Sequence, residues 1–453
     1  MSAFLPLDQV LSGRREARLP AARVGGEVRA LGELEARVAG LRAVLAPRPE
    51  RRWLLATGNA WDFAVGLLAL WAEGRVAVVP PNGLPDTRAA LRDAFEAVLA
   101  DEAPGAPGAA GEAWLDLREL PSAEARPVAR LEGCLELCTS GSSGEPRRVP
   151  KDLAQLAAEV ETLEACFGAR AAGALVLGTV PHHHIYGLLF RLLWPLCAGR
   201  VWQAEASSDP ERLGRDLESA DALLLVGSPA HLGRLHRLLD LAPHRERLRE
   251  VFCSGGPLAA EDAEAYRRVI GEAPLEVYGS TETGGIAWRR RGPEDPEGTW
   301  TPFPGSTVDR DDAGALRVVS PNTGGLPVAL PDAADFLPDG RFRLRGRLDR
   351  VVKLEEKRVS LPEVEACLRA HPLVRDAAVA VLQGHRAFLG AVVVPALGVA
   401  GDRALREALR AHLARRFDPV ALPRRWRFPA ALPFDARGKL PAQALRALLE
   451  EAP

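Results

Sequence analysis

Thr139-Ser-Gly-Ser-Ser-Gly-Glu-Pro-Arg147 is the stretch on which the reading of this chain turns. It follows an apolar run at 135–138, so a strand is predicted to end in a flexible loop that exposes its amides. Gly141 and Gly144 let the backbone approach a ligand closely. The amides and hydroxyls of Thr139, Ser140, Ser142 and Ser143 can then surround a phosphate. The Walker pattern is excluded, because no Gly-Lys-Ser/Thr follows at the required spacing. Alone, such a loop reads as a surface turn; the motifs downstream raise it to a phosphate site.

A chain of 453 residues exceeds one compact core and implies two or more domains. Apolar residues make up 47% and charged residues 26%, the balance of a globular protein. The net charge of -2 gives no electrostatic case for nucleic acid or an anionic membrane as partner. Residues 1–6 lack a basic segment leading into a long apolar one, so a cytoplasmic location is expected. The most apolar windows, 63–72 and 185–196, are too short to span a bilayer, and the second contains Arg191. Six cysteines without a Cys-x-x-Cys pair fit reduced thiols. Among 58 basic residues only Lys151, Lys353, Lys357 and Lys439 are lysines. Lysine that persists in an arginine-rich chain points to sites that need a compact ammonium.

Short apolar runs at 53–56, 76–79, 174–180, 200–203, 222–226, 251–253 and 275–278 read as strands. Helical patterns at 61–71, 187–196, 229–239 and 259–270 fall between them. This alternation predicts an α/β fold, with mostly parallel sheets covered by helices and ligand-binding loops beyond the strands' carboxyl ends. Residues 103–111, rich in Gly, Pro and Ala, read as a loop. From about residue 300 the pattern turns to short strands. After Asp349 a separate small α+β domain is expected, with a helix from Leu361 capped by Ser360, strands at 377–381 and 388–394, and a helix at 403–415. The expected division is 1–347 and 348–453, with a hinge near Asp349.

Four further stretches accompany the Ser/Gly loop: Cys253-Ser-Gly-Gly-Pro257, Tyr278-Gly-Ser-Thr-Glu-Thr283, Gly346-Arg-Leu-Asp-Arg-Val-Val-Lys353, and Phe434-Asp-Ala-Arg-Gly-Lys-Leu-Pro441. With the loop at 181–187, their order and spacing resemble the adenylate-forming superfamily of acyl- and aryl-CoA synthetases, luciferases and nonribosomal adenylation domains. The resemblance runs from about Thr139 to Pro441. The wording around 145–151 and 183–196 is similar to one branch, the synthetase-like ligases of aryl polyene and xanthomonadin-type pathways.

The resemblance implies a carboxylate joined to the α-phosphorus of ATP, with pyrophosphate released. A thiol of coenzyme A or of a carrier protein's phosphopantetheine then displaces AMP. Joining two anions needs positive charge and aimed donors. By resemblance Thr139 to Gly144 hold the β- and γ-phosphates, with Arg147 beside them. Glu282 binds Mg²⁺, a hard cation suited to one carboxylate and phosphate oxygens, and Thr281 contacts the α-phosphate. Gly255, Gly256, Tyr278, Gly279 and Ser280 form the adenine slot. Asp332 holds the ribose hydroxyls, with Asp335 as the lesser candidate, and Arg347 faces the nucleotide. Asp349 is the hinge, and Lys439 bridges carboxylate and phosphate during adenylation. His184, Tyr186, Gly187, Gly227 and Ser228 line the acyl pocket or its gate, with Trp194 and His231 nearby. His182-His183-His184 is not expected to bind metal, because consecutive extended residues point to alternate faces.

Three departures bear on this assignment. The loop's usual lysine is Arg147, and Lys151 lies close enough in sequence to take over its charge. Leu330-Pro331 replaces the usual Thr-Gly before the ribose aspartate. Glu356 replaces a glycine that lets the pantetheine arm pass, which favours a carrier-protein acceptor, or a chain that stops at the adenylate. The substrate class preferred by branch resemblance is a hydroxybenzoate-like aromatic acid. Alternatives are a medium- or long-chain fatty acyl-AMP ligase or acyl-CoA synthetase, and, in another class, a non-catalytic nucleotide-binding relic.

Overall fold

The structure, a computed structural model, describes residues 4–82, 85–101, 113–140, 146–207, 209–295, 298–311, 314–354, 357–383, 387–417, 419–435 and 440–451. The loop expected at 103–111 lies outside them. Chain contacts separate two compact units, Met1–Thr307 with Val318–Val328, and Val308–Arg317 with Ala329–Pro453. This division falls earlier in the chain than 347/348, because the strand pair Asp332–Phe336 and Phe342–Arg347 is counted with the smaller unit.

The larger unit holds two sheets. One has six strands, in spatial order Ala113–Asp116, Ala97–Ala100, Arg52–Ala56, Val76–Val79, Cys134–Ser140 and Pro146–Asp152. All neighbours are parallel except the last pair. The other has nine strands, with a central parallel run of Leu275–Ser280, Leu248–Ser254, Leu223–Gly227, Leu175–Gly178, Trp202–Gln203 and Pro20–Val24. Antiparallel strands Gly284–Arg290 and Glu27–Ala30 flank that run. The central strands are buried along nearly their whole length, which is why they read as continuous apolar runs.

Helices Ala60–Ala72, Leu153–Phe167, Pro229–Leu238 and Ala260–Ile270 cover the sheets. Apart from Asp62 in its first turn, the first is apolar on all sides and buried along nearly its whole length, as a helix packed against a core must be. The helical segment expected at 187–196 runs over 185–198, but Leu189–Leu193 winds as a π turn. Such turns occur mostly at functional sites. In the core between this segment and the sheet, the ring of Phe252 lies 5.0 Å from Phe190, 5.4 Å from Phe167 and 5.8 Å from Trp194. Trp194 belongs to this core, with its indole N–H donated to Glu164 at 2.7 Å. It is 1% exposed, so it supports the expected acyl pocket from behind instead of lining it.

In the smaller unit Val374–Leu382 pairs antiparallel with Phe388–Pro395, which pairs parallel with Arg425–Arg427. Helix Leu361–Arg369 packs its Val364 and Leu368 against Leu389, Ala391 and Val393, together with Leu405, Leu409 and Leu413 of Arg403–Ala414. Ser360 accepts the Glu363 N–H at 3.4 Å, the cap read from sequence. No helix among the described residues is long and apolar enough to cross a membrane.

Replacing Phe252 by alanine removes the ring shared by three aromatic partners and leaves a cavity at the sheet–helix interface. Phe252→Ala is expected to lose about 3–5 kcal/mol of unfolding free energy, measured by urea denaturation.

Candidate active site

Four adjacent parallel strands end at Gly178, Gly227, Ser254 and Ser280, and therefore release their following loops along one edge. Those loops carry the histidine triplet, Gly227-Ser228, Gly255-Gly256 and Thr281-Glu282-Thr283. The structure thus brings together sequence stretches up to a hundred residues apart.

The Ser/Gly stretch is flanked by two strands that pair antiparallel. Thr139 is paired with Arg147 and Ser140 with Pro146 across strands Cys134–Ser140 and Pro146–Asp152. Gly141, Ser142, Ser143 and Gly144 lie outside the described residues. The strand pair meets the nine-stranded sheet at Glu282, whose Oε1 is 3.4 Å from Arg147 Nη1. Glu282 itself sits in a turn shaped by hydroxyls. Ser280 N donates to Thr283 Oγ1 at 3.1 Å, and Thr283 N donates to Ser280 Oγ at 3.2 Å. Gly279 is obligatory here, since a Cβ would come within 2.1 Å of the Gly284 carbonyl oxygen.

Lys151 differs from the expectation. Its side chain is 2% exposed, and Nζ donates to the carbonyls of Glu282 at 2.7 Å and Asn322 at 3.0 Å. Burial lowers its pKa. An ammonium committed to two carbonyls is not available to stand in for the phosphate loop's lysine, whereas the Arg147 side chain is 70% exposed. Across the same turn Glu159 is buried, and its Oε1 accepts the Gly285 N–H at 2.5 Å. Burial raises its pKa to about 7, against the opposing pull of that hydrogen bond and of Lys151. Sequence reasoning missed Glu159 and Asn322. The scarcity of lysine was the one available signal, and it pointed to the right residue with the wrong role.

At the nucleotide end, Gly255 has φ +93 and open space where a side chain would stand. Ser254 Oγ donates to the Val277 carbonyl at 2.7 Å, which fixes this turn against the strand that carries Tyr278. The half-buried Tyr278 ring lies 5.5 Å from Trp300.

At the acyl end, Gly187 is required because a Cβ would approach the Pro181 carbonyl oxygen to 2.0 Å, so the loop at 181–187 closes on itself. Tyr186 donates its hydroxyl to Gly227 O at 3.3 Å, and desolvation holds that phenol well above its usual pKa. Ser228 caps helix Pro229–Leu238 and bonds His231 Nδ1 at 3.0 Å, so its hydroxyl serves the turn. His182 is buried against Phe63 and pairs with Thr57 Oγ1 at 3.2 Å; burial pushes its pKa well down, so it is neutral. His183 and His184 follow with ring centroids 4.6 Å apart. Arg191, in the π turn, is fully buried and donates to the Val180 carbonyl at 2.5 Å and the Gln203 carbonyl at 3.1 Å, holding the start of this loop. Burial lowers its pKa to about 10, so it remains a cation at neutral pH.

Among the described residues no three His, Cys, Asp or Glu side chains are grouped to hold a metal ion. Glu282 is a single, partly exposed carboxylate. That donor set fits Mg²⁺ arriving with nucleotide phosphates, because Mg²⁺ needs only one or two protein carboxylates beside phosphates and water.

Within the smaller unit Asp332 and Arg347 are register partners across the hairpin of Asp332–Phe336 and Phe342–Arg347. Asp335 is paired with Arg345, which holds its carboxyl below the usual range. Asp349 falls in the one-turn segment Leu348–Arg350. Lys439 and Glu356 lie outside the described residues.

The sequence pattern of AMP-binding enzymes matches residues 30–326, and that of the AMP-binding enzyme C-terminal domain matches residues 363–439. The chain belongs to the AMP-binding enzyme family. It is 32% identical to a 4-coumarate–CoA ligase of Cereibacter sphaeroides over 72% of this chain and 74% of that one. It is 25% identical to a 4-chlorobenzoate–CoA ligase of an Arthrobacter species over 92% and 89%. The fold matches a benzoate CoA ligase from Burkholderia xenovorans with TM-score 0.77, 23% identity and coverage of 96% and 98%. It also matches the Bacillus subtilis o-succinylbenzoate CoA synthetase with TM-score 0.80, 18% identity and coverage of 98% of both chains.

Because the folded-state pKa of Glu159 lies above that of a free carboxyl, its contribution to stability is full below about pH 4.5 and is lost as pH rises through about 7. Glu159→Gln should therefore gain on the wild type by up to about 3 kcal/mol between pH 5 and pH 8, read as the difference in urea unfolding free energies.

Proposed function

We propose that this protein is an ATP-dependent acid–thiol ligase that activates an aromatic carboxylic acid as its acyl-adenylate and passes the acyl group to a thiol. The observation that carries the reading is the meeting of Arg147 and Glu282, where the phosphate-loop hairpin abuts the Thr281-Glu282-Thr283 turn. A cation and a magnesium-suited carboxylate at that junction answer the electrostatic problem of the first step.

In that step a carboxylate oxygen attacks the α-phosphorus, the bond to the bridging β-phosphate oxygen breaks, and pyrophosphate departs. Residues 139–144 and Arg147 bind the departing phosphates, and Thr281 meets the α-phosphate. Glu282 holds Mg²⁺, which when bound neutralises charge on the phosphate oxygens. Gly255, Gly256, Tyr278, Gly279 and Ser280 hold adenine; Asp332 and Arg347 hold the ribose and nucleotide. Lys439 supplies charge between carboxylate and phosphate. In the second step a thiolate adds to the acyl carbonyl and the bond to AMP breaks. Asp349 is the proposed pivot, with 1–347 and 348–453 as the functional domains.

The names of the relatives, 4-coumarate, 4-chlorobenzoate and benzoate CoA ligases, support an aromatic acid and coenzyme A as acceptor. Within that class a hydroxybenzoate-like acid and a carrier-protein thiol are the finer proposals, the latter resting on Glu356. A second reading, an aliphatic acid, is favoured by the 26% identity to an acetyl-coenzyme A synthetase of Pyrobaculum arsenaticum.

ATP–pyrophosphate exchange against benzoates, cinnamates and fatty acids tests the proposal. Exchange should be stimulated by an aromatic acid, and Lys439→Ala should lower it about 10²- to 10³-fold, the cost of removing one transition-state donor. Glu282→Gln should raise the Mg²⁺ concentration needed for half-maximal exchange. Exchange driven only by aliphatic acids would replace the aromatic reading. No exchange with any acid would favour the relic.

A further inference from the structure

We infer that Lys151 and Glu159 are positioning residues that fix the turn carrying Glu282 from inside the protein, an inference that rests on the proposed role of that turn toward Mg·ATP. Four hydrogen bonds run in series from Glu282 through Lys151 and Asn322 to Gly285 and Glu159. Lys151 Nζ donates to Glu282 O at 2.7 Å and to Asn322 O at 3.0 Å. Asn322 Nδ2 donates to Gly285 O at 3.1 Å, and Gly285 N donates to Glu159 Oε1 at 2.5 Å. The series thus grips residues 282 and 285 through their backbone, leaving the Glu282 carboxylate free to reach Arg147 on the other side.

Two features argue for placement beyond general stability. An ammonium and a carboxylate are both held out of water, where apolar residues of similar volume would often stabilise as well or better. Apolar replacement of Lys151 would, however, leave the carbonyls of Glu282 and Asn322 without its hydrogen bonds. Gly284, between the two gripped residues, has φ +65, and a Cβ there would come within 2.3 Å of Glu159 Oε2. Carboxylate and glycine are fitted to each other, so the turn has one conformation. A compact ammonium with three donors meets two carbonyls from different segments, where a planar guanidinium imposes its own fork geometry. This accounts for one of the four lysines of the chain.

The test uses the full chain with Mg·ATP as titrant. Lys151→Met/Glu159→Gln removes both buried charges together, so neither is stranded, and the amide still offers an oxygen to Gly285. Its thermal midpoint should fall by several degrees, because the carbonyls of Glu282 and Asn322 lose their donor, and Mg·ATP affinity is therefore read at a temperature where the variant is fully folded. Its affinity for Mg·ATP by calorimetry should fall about 10- to 100-fold, the usual cost of losing a group that orients a metal ligand. The KM for the acid should change less than about twofold while the Mg²⁺ requirement for exchange rises. Wild-type Mg·ATP affinity in the folded double variant overturns the inference. A loss of affinity that only tracks loss of folded protein does the same. Should the double variant fail to fold, Asn322→Ala keeps both charges and cuts only the tie to Gly285. It should lower Mg·ATP affinity in protein that is still folded at the assay temperature, and unchanged affinity again overturns the inference. If the wild type does not bind Mg·ATP, the functional reading falls and takes this inference with it.

Discussion

The structure depends on one constraint: strands that run parallel must all deliver their following loops to the same edge. Each β–α–β connection returns the chain behind the sheet, so Gly178, Gly227, Ser254 and Ser280 end side by side although 102 residues separate the first from the last. Small, hydroxylated and polar residues concentrate there because nothing else tolerates the tight exits. Gly187 and Gly279 show this most directly, each excluded from bearing a side chain by a backbone carbonyl about 2 Å from where its Cβ would be. The site is a consequence of the topology, and its chemistry is what the exits can hold.

The same constraint creates a problem that the buried charges answer. Loops leaving a sheet edge carry carbonyls that no ladder or helix satisfies, and an unsatisfied buried carbonyl costs about 1–3 kcal/mol. Here buried cations supply the missing donors. Arg191 takes the carbonyls of Val180 and Gln203, and Lys151 takes those of Glu282 and Asn322. Arg200 serves a structural counterpart, binding Ala171 O and the Glu164 carboxylate behind Trp194. Each of these cations joins segments distant in sequence, so the edge is organised from beneath by charge as well as by packing.

The strand and helix rhythm of residues 53–79 and 174–280 was legible because fully buried parallel strands must be apolar along their whole length, and the helices between them are not. The N-terminal strand Pro20–Val24 was not legible. Its partner is Trp202–Gln203, and only Ala21 and Ala22 are buried, so no local pattern marks it. The antiparallel strand Pro146–Asp152 was hidden for a related reason: charged Arg147, Arg148 and Lys151 occupy it, and it is held by its pairing with Cys134–Ser140. In the candidate site, motif residues were readable from type and order. The roles of Lys151, Glu159 and Arg191 were not, because each is defined by a backbone carbonyl or amide, more than a hundred residues away for Lys151 and Glu159, and backbone partners leave no mark in side-chain sequence. Trp194, expected only near the acyl pocket, is buried in the core.

Arginine at 147 changes the phosphate loop in a way the geometry makes concrete. The contact between Arg147 and Glu282 spans 3.4 Å with the arginine side chain 70% exposed, and exposed pairs of this kind are worth about 0–1 kcal/mol. So weak a pair yields readily to a phosphate, which offers the guanidinium a bidentate partner, and to Mg²⁺, which offers the carboxylate a harder one. Lys151, by contrast, is buried and held by two carbonyls, so it cannot leave without exposing them. The chain therefore separates the two duties a cation has near this turn. Under the proposed function, an exchangeable guanidinium would stand where ligand charge arrives, and a fixed ammonium would set where the turn must be when it does.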